Sequence, residues 1–256
     1  MKKTVLILLL MVTVFPFVYG VNLGENYLST KIVLFPIKEA TVSSLVDSFI
    51  DSYNFKVGEE FTKGDILVQL DNRLYKQSKI KADADFTATE AAYSYSDSIY
   101  KHDIKLFQKD AIGSQELEKS KLDTITQYGK KEQAKANLTI SEIKLDACSI
   151  KAPFSGRIIV KDLNEYDFVR TGQPILQIID DNELLAVMHL SSSDFKKYKL
   201  GKKLKFKIDE TQENITGSVY EIAGSINPGS RSFEVKALID NKDKKLRAGM
   251  SGVLVY

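Results

Sequence analysis

The side chains able to do covalent or proton-transfer chemistry are few and far apart. Two histidines, His102 and His189, and one thiol, Cys148, are the candidates for nucleophile and base. That chemistry needs the two groups within hydrogen-bond reach of each other. His102 lies in a segment dense in Ala, Lys, Glu, Asp and Gln, and His189 in the strand-like run Leu184 to Leu190. Cys148 stands at the junction between a helical and a strand-like segment. Three groups on different modules predict no shared site, so the chain reads as a non-enzyme. No glycine-rich loop precedes a helix to cradle phosphate, and no cluster has metal-ligand spacing. Met188 and Met250 are too far apart for a soft-cation site. No cofactor or metal is expected. A single cysteine cannot close an internal bridge; Cys148 is a small core residue, a free thiol or an intermolecular link, with the first preferred.

Composition narrows the class further. With 256 residues, 43% hydrophobic and 27% charged, the chain is neither disordered nor collagen-like nor a disulfide-built mini-protein. Without Lys2 and Lys3 the 36 basic residues fall to 34 and equal the 34 acidic ones. Such a balance exerts no global pull on nucleic acid or anionic lipid, and no nucleic-acid partner is expected. The lysines at 196, 197, 199, 202, 203, 205 and 207 read as a solvated face. Met1-Lys2-Lys3 and the apolar run Val5 to Tyr19 have the form of a secretory signal over residues 1–20, with cleavage after Gly20. The run falls short of the roughly 20 residues that span a bilayer, which makes a retained anchor the second choice. No later stretch approaches 18 uninterrupted apolar residues, so the exported chain is not expected to be a transporter itself. The bacterial periplasm suits a cysteine-poor exported chain.

Those residues must be carried by three textures in succession. Lys31 to Leu70 is strand-like, with short apolar runs parted by Pro36, Gly58 and Gly64. Asp71 to Ala147 contains no proline and reads as helix, and Asp110 to Ser114 is the natural place for it to reverse. Two seams at steps of three and four are expected to hold the arms. One is Ala88, Ala92, Tyr95, Ile99, His102 and Leu106; the other is Leu122, Ile125, Gly129, Glu132, Ala136, Ile140 and Ile143. Glu116 and Glu118 are expected in the first turn of the returning helix. Arms of some 35 residues reach roughly 50 Å, more than a compact core needs, so the hairpin must project. Its seams are thin, and neighbours packed alongside would supply the burial it lacks. From Ser149 to Tyr256 strands return.

A repeat flanks the hairpin. Val57 to Leu67 and Glu165 to Leu176 share a glycine turn, Gly64 and Gly172, with an apolar residue three positions earlier, Phe61 and Val169. Two such copies make two halves of one small sandwich. Tyr166 stands where the first copy has Gly58, a departure expected to distort the second turn.

These half-motifs around a helical hairpin resemble the periplasmic adaptor proteins, or membrane fusion proteins of the haemolysin D type. Ile150 to Ile158, with Pro153 and Gly156, is similar to the family's signature strand and turn. Gly217 to Ile222, Asn227 to Val235 with Arg231, Asn241 to Asp243 and Leu246 to Gly252 with Gly249 are similar to its barrel blocks. The resemblance implies a mixed α and β, mainly β fold: a lipoyl-like β-sandwich interrupted by a long antiparallel α-helical hairpin and followed by a small antiparallel β-barrel. Its parts would be a signal over 1–20, an N-terminal strand joining the barrel over 21–36, sandwich halves over 37–71 and 148–180, the hairpin over 72–147 and the barrel over 181–256. Asp194 to Lys199 would be the short barrel helix. The chain stops after the barrel, so the membrane-proximal domain that the resemblance implies is expected to be missing or vestigial.

The resemblance also implies function. The chain would bridge an inner-membrane RND-type exporter to an outer-membrane efflux duct, associated with the inner membrane and assembled as a hexamer. An envelope scaffold and the adaptor of an ABC-type exporter are the alternatives. The hairpin tip, at Leu106, Ile112, Gly113 and Ser114, would dock the duct. The family's arginine, leucine and serine positions there fall on His102, Leu106 and Gly113, so only the leucine is kept. The turn residues would be Gly58, Gly64, Pro153, Gly156 and Gly172. A carrier with a swinging prosthetic arm is disfavoured, because the turn that would bear the modified lysine holds the inserted helices.

Overall fold

The computed structural model describes residues 30–255; the expected signal segment lies outside them. Strand β1 (Lys31–Ser43) opens the chain, followed by β2 (Ser48–Tyr53), β3 (Glu60–Phe61) and β4 (Ile66–Leu70). Then come the two long helices, α1 (Arg73–Phe107) and α2 (Ser114–Asp146). The strands resume as β5 (Ser149–Lys151), β6 (Gly156–Lys161), β7 (Phe168–Val169) and β8 (Pro174–Ser191). After a 3-10 helix (Ser192–Lys197), in place of the expected short barrel helix, β9 (Lys203–Ile208), β10 (Asn214–Ile222), β11 (Ser232–Asp240) and β12 (Ser251–Val255) complete the chain. The fold is mainly β with one long helical hairpin.

Two strands do most of the architectural work because each is long enough to serve both β units. In one sheet the order is β1-β12-β9-β10-β11-β8, and the β1–β8 pairing closes it into a barrel. The antiparallel register runs from Ile32↔Met188 to Pro36↔Leu184 in the barrel, slips between Pro36 and Lys38, and continues from Lys38↔Asp180 to Ser43↔Pro174 in the sandwich. Strands β6 and β3 extend that sheet past β8, and β5-β4-β2-β7 faces it. Each unit has its own core. Ile32, Leu34, Leu184, Met188, Phe206, Phe233 and Val235 fill the barrel, and alternation along the strands puts them inside. Ile50, Leu67, Leu70, Ile158, Ile175, Leu176 and Ile178 fill the sandwich.

The helices pack through small and hydroxylated residues. Ser96, Thr124 and Ala134 are the buried residues of the pair, and their size lets the backbones approach. The Thr124 hydroxyl donates across the gap to the Ser96 carbonyl at 3.0 Å. Tyr93 meets Tyr128 edge to face at 5.4 Å, with the Lys131 ammonium over both rings at 4.8 and 5.2 Å. Lys79 pairs with Glu142 at 3.6 Å.

That contact corrects the expected seams. Ala88, Ala92, Tyr95, Ile99 and His102 on α1, and Leu122, Ile125, Gly129, Ala136, Ile140 and Ile143 on α2, are exposed. The period is helical as read, but the phase is wrong: the stripes face away from the partner helix. An apolar stripe points to the contact in sequence, whereas close approach of the backbones selects Ser, Thr and Ala. Glu116 lies in the first turn of α2, and Glu118 falls just past it.

Candidate partner-docking surfaces

The two sandwich halves repeat at a fixed interval of 108 positions, that separating Gly64 from Gly172. Gly64 N–H donates to the Ala152 carbonyl at 2.9 Å, and Gly172 N–H to the Ser44 carbonyl at 2.7 Å. Gly58 N–H reaches the Ile158 carbonyl and Tyr166 N–H the Ile50 carbonyl, both at 2.8 Å. Every partner in the second bond of each pair is displaced by the same interval, so the halves are related by an internal two-fold. Gly64 (φ 93°) and Gly172 (φ 81°) occupy the left-handed region that glycine enters without steric cost.

Tyr166 overturns the expected distortion. Its φ of 72° matches the 84° of Gly58, and the turn closes as in the first copy. The tyrosine adopts the glycine conformation and is held there by the surrounding hydrogen bonds.

Gly156 is needed for another reason. A Cβ there would sit 2.0 Å from the Ile179 carbonyl oxygen, so β6 reaches β8 only because no side chain intervenes. Pro153, exposed, lies in the loop before it. Gly249 (φ 93°) turns the chain into β12, its N–H donating to the Leu34 carbonyl at 2.7 Å. Arg231 also has a positive φ, 51°, and its carbonyl accepts from Ser192 N–H at 2.9 Å, tying the β10–β11 turn to the 3-10 helix.

At the far end of the hairpin the Leu106 carbonyl accepts from the N–H groups of Lys109 and Ala111, both at 3.0 Å, which ends α1. Asp110 (φ 56°) reverses the chain and Gly113 is the residue before α2. Leu106 and Ile112 are half-buried, while Gly113 and Ser114 are exposed. The structure thus gathers these four at one tip.

The chemistry-bearing side chains do not meet. His102 is exposed on α1, and His189 is exposed on β8, 3.7 Å from Glu234. Cys148 is fully buried in the sandwich core, where burial pushes its thiol up to about 11.

One junction went unread in the sequence. Asp181, 1% exposed, receives Lys244 at 2.7 Å and both Arg157 and Arg247 at 3.2 Å. Arg157 comes from the sandwich and the other two from the barrel loop before β12, so a single carboxylate clasps the units together. Burial pushes this carboxyl up, but the hydrogen bond and charge of Lys244, then those of Arg157, outweigh it and hold the group below the usual range. Arg157 also donates to the Gly58 carbonyl and to Glu60. Fully buried Asn241 backs the clasp, donating to the carbonyls of Asp181 and Leu246 at 2.8 and 3.0 Å. The signal was present in Ile178-Ile179-Asp180-Asp181, two carboxylates closing an apolar run.

A sandwich split by a projecting hairpin, clasped to a six-stranded barrel, defines a protein whose working parts are surfaces. Family descriptions agree: residues 38–181 match the RND MFP barrel-sandwich hybrid domain, and residues 187–255 match the CusB-like beta-barrel domain. The chain belongs to the membrane fusion protein family.

It is similar to the nodulation protein NolF of Rhizobium meliloti, 21% identical over 218 residues, covering 85% of this chain and 59% of that protein. It is also similar to the multidrug resistance protein MdtA of Erwinia amylovora, 22% identical over 229 residues, covering 86% and 56%. The chain spans 47% to 59% of the length of these and another curated relative. Among solved structures, the membrane fusion protein Spr0693 of Streptococcus pneumoniae R6 shares the fold with a TM-score of 0.66 at 14% identity, covering 88% of this chain and 96% of that one. ZneB of Cupriavidus metallidurans gives 0.54 at 18%, covering 89% and 98%.

Proposed function

We propose that this chain is a periplasmic adaptor that bridges an inner-membrane RND-type exporter to an outer-membrane efflux duct and supports export of small molecules. The observation that carries the reading is the hairpin, roughly 50 Å of helix pair whose apolar stripes turn away from each other. A lone hairpin gains nothing from exposed Tyr95, Ile99, Leu122, Ile125, Ile140 and Ile143. Copies set side by side bury them, α1 of one against α2 of the next. Unlike stripes make a head-to-tail contact, the kind of interface from which closed rings are built, and this supports the hexamer. The tip residues Leu106, Ile112, Gly113 and Ser114 would then meet the duct, and the barrel end would face the exporter.

The test is export together with assembly. Leu106→Asp is expected to abolish export while abundance and helix content stay unchanged; unaltered export would refute tip docking. Co-purification decides the partner: an RND-type exporter supports the proposal, an ABC-type exporter replaces it, and the absence of any exporter leaves an envelope scaffold.

A further inference from the structure

The outer face of the barrel carries a charge pattern that the adaptor reading does not use. On the neighbouring strands β1, β12, β9 and β10 the outward positions are Lys31, Val33 and Phe35; Ser251, Val253 and Val255; Lys203, Lys205 and Lys207; and Asn214, Thr216 and Ser218. None is a carboxylate. The register sets Lys31 beside Val253, Val253 beside Lys207, and Val255 beside Lys205, so cations and valines share one sheet surface. Ten other lysines in the described chain are ion-paired, yet Lys31, Lys203, Lys205 and Lys207 make no ion pair among the described residues. The nearest carboxylates stand at the Ser251 end of the face and leave the Lys203 and Lys205 end clear of negative charge. Asp209 and Glu210 accept from Ser251, Glu221 pairs with Lys236, and Glu213 lies in the turn at the far end of β9.

A second observation selects the kind of anion. The loop entering β9 reads Lys199-Leu200-Gly201-Lys202-Lys203, and its leucine is 70% exposed. Gly201 N–H donates to the Val219 carbonyl at 2.8 Å, which brings β10 and the exposed Tyr220 alongside. A leucine at a loop tip, flanked by lysines and with a tyrosine next to it, suits the boundary between head groups and acyl chains. An acidic protein would satisfy the lysines but has no need of the leucine.

We infer that this face of the barrel docks on an anionic phospholipid surface, with Leu200 inserted and Lys31, Lys203, Lys205 and Lys207 against the head groups. The inference goes beyond the adaptor reading and stands without it, because it needs no exporter and no duct.

The test is co-sedimentation of the chain from Val21 onward, which holds every described residue, with lipid vesicles. Binding is expected to phosphatidylcholine vesicles containing phosphatidylglycerol and not to phosphatidylcholine alone, and to fall steeply with salt as the ionic atmosphere tightens. Each lysine near such a surface is worth about fivefold in partitioning, so the triple change Lys203→Gln, Lys205→Gln, Lys207→Gln is expected to weaken binding on the order of a hundredfold. Circular dichroism checks that the triple variant folds, and the lipid and salt comparisons need no variant at all. Equal binding to both vesicles, binding to neither, or binding indifferent to the triple change would overturn the inference. So would capture by polyglutamate in preference to vesicles, which would assign the face to an acidic protein. Leu200→Ser, which removes the apolar side chain without changing charge, is expected to weaken vesicle binding at least tenfold while leaving polyglutamate binding untouched; unchanged vesicle binding would remove the reason for choosing a bilayer.

Discussion

At the scale of single residues the sandwich stores strain in one place and none of it is needed for closure. Tyr166 holds a left-handed backbone, a conformation that costs a residue with a side chain about 1–2 kcal/mol, and its ring is 77% exposed. Glycine there would lose little packing and relieve the strain. Tyr166→Gly is therefore expected to stabilise the protein by roughly 1 kcal/mol in denaturant unfolding, against glycine's own entropic cost; a loss of stability would mean that the exposed ring has a contact worth more. The position is legible in the sequence from the alignment of the repeat, but its effect is not: a missing glycine suggests a missing turn, whereas the backbone bonds from Tyr166 to Ile50 and from Asp167 to Asn164 impose the conformation regardless.

At the scale of elements the hairpin separates what holds it from what it offers. Ala134, 3% exposed between the helices, has no room for a larger side chain. Ala134→Leu is expected to cost about 1–3 kcal/mol by overpacking. Tyr95→Lys, on the outward stripe, is expected to change stability by less than about 0.5 kcal/mol. Amide hydrogen exchange within the helices, compared between the two variants, checks this, and the reverse ranking would restore the seams first expected from sequence. The existence, length and reversal point of the hairpin were legible because proline is absent and the turn residues cluster at 110–114. Its phase was not, since an isolated 3–4 pattern of apolar residues does not say whether its partner lies within the chain or outside it.

At the scale of the whole molecule, barrel and sandwich are joined by the β1–β8 ribbon and by the clasp on Asp181. Removing that carboxylate leaves Lys244 and Arg247 without a counter-charge and Arg157 with Glu60 alone, and Asp181→Asn is expected to cost roughly 3–5 kcal/mol. The pH dependence has a definite sign. The folded carboxyl titrates below its unfolded value of about 3.9, so the unfolded chain binds more protons in that interval. The stabilisation is complete above the unfolded value and is lost as pH falls through the folded one. Acid unfolding of the unaltered protein should therefore steepen below about pH 4 relative to Asp181→Asn, and parallel curves would show that the clasp is inert. The two β units were legible from their glycine turns and apolar alternation, but the clasp was not, because it draws residues from three separated stretches into one contact. The ribbon beside it has a mechanical meaning. Two strands hydrogen-bonded along their length resist stretching and yield more readily to twist, and the slip between Pro36 and Lys38 marks where twisting is easiest. Such a joint lets barrel and sandwich reorient against each other, and the hairpin magnifies the change: turning the base of a lever roughly 50 Å long by about 10° would sweep the far end through roughly 9 Å.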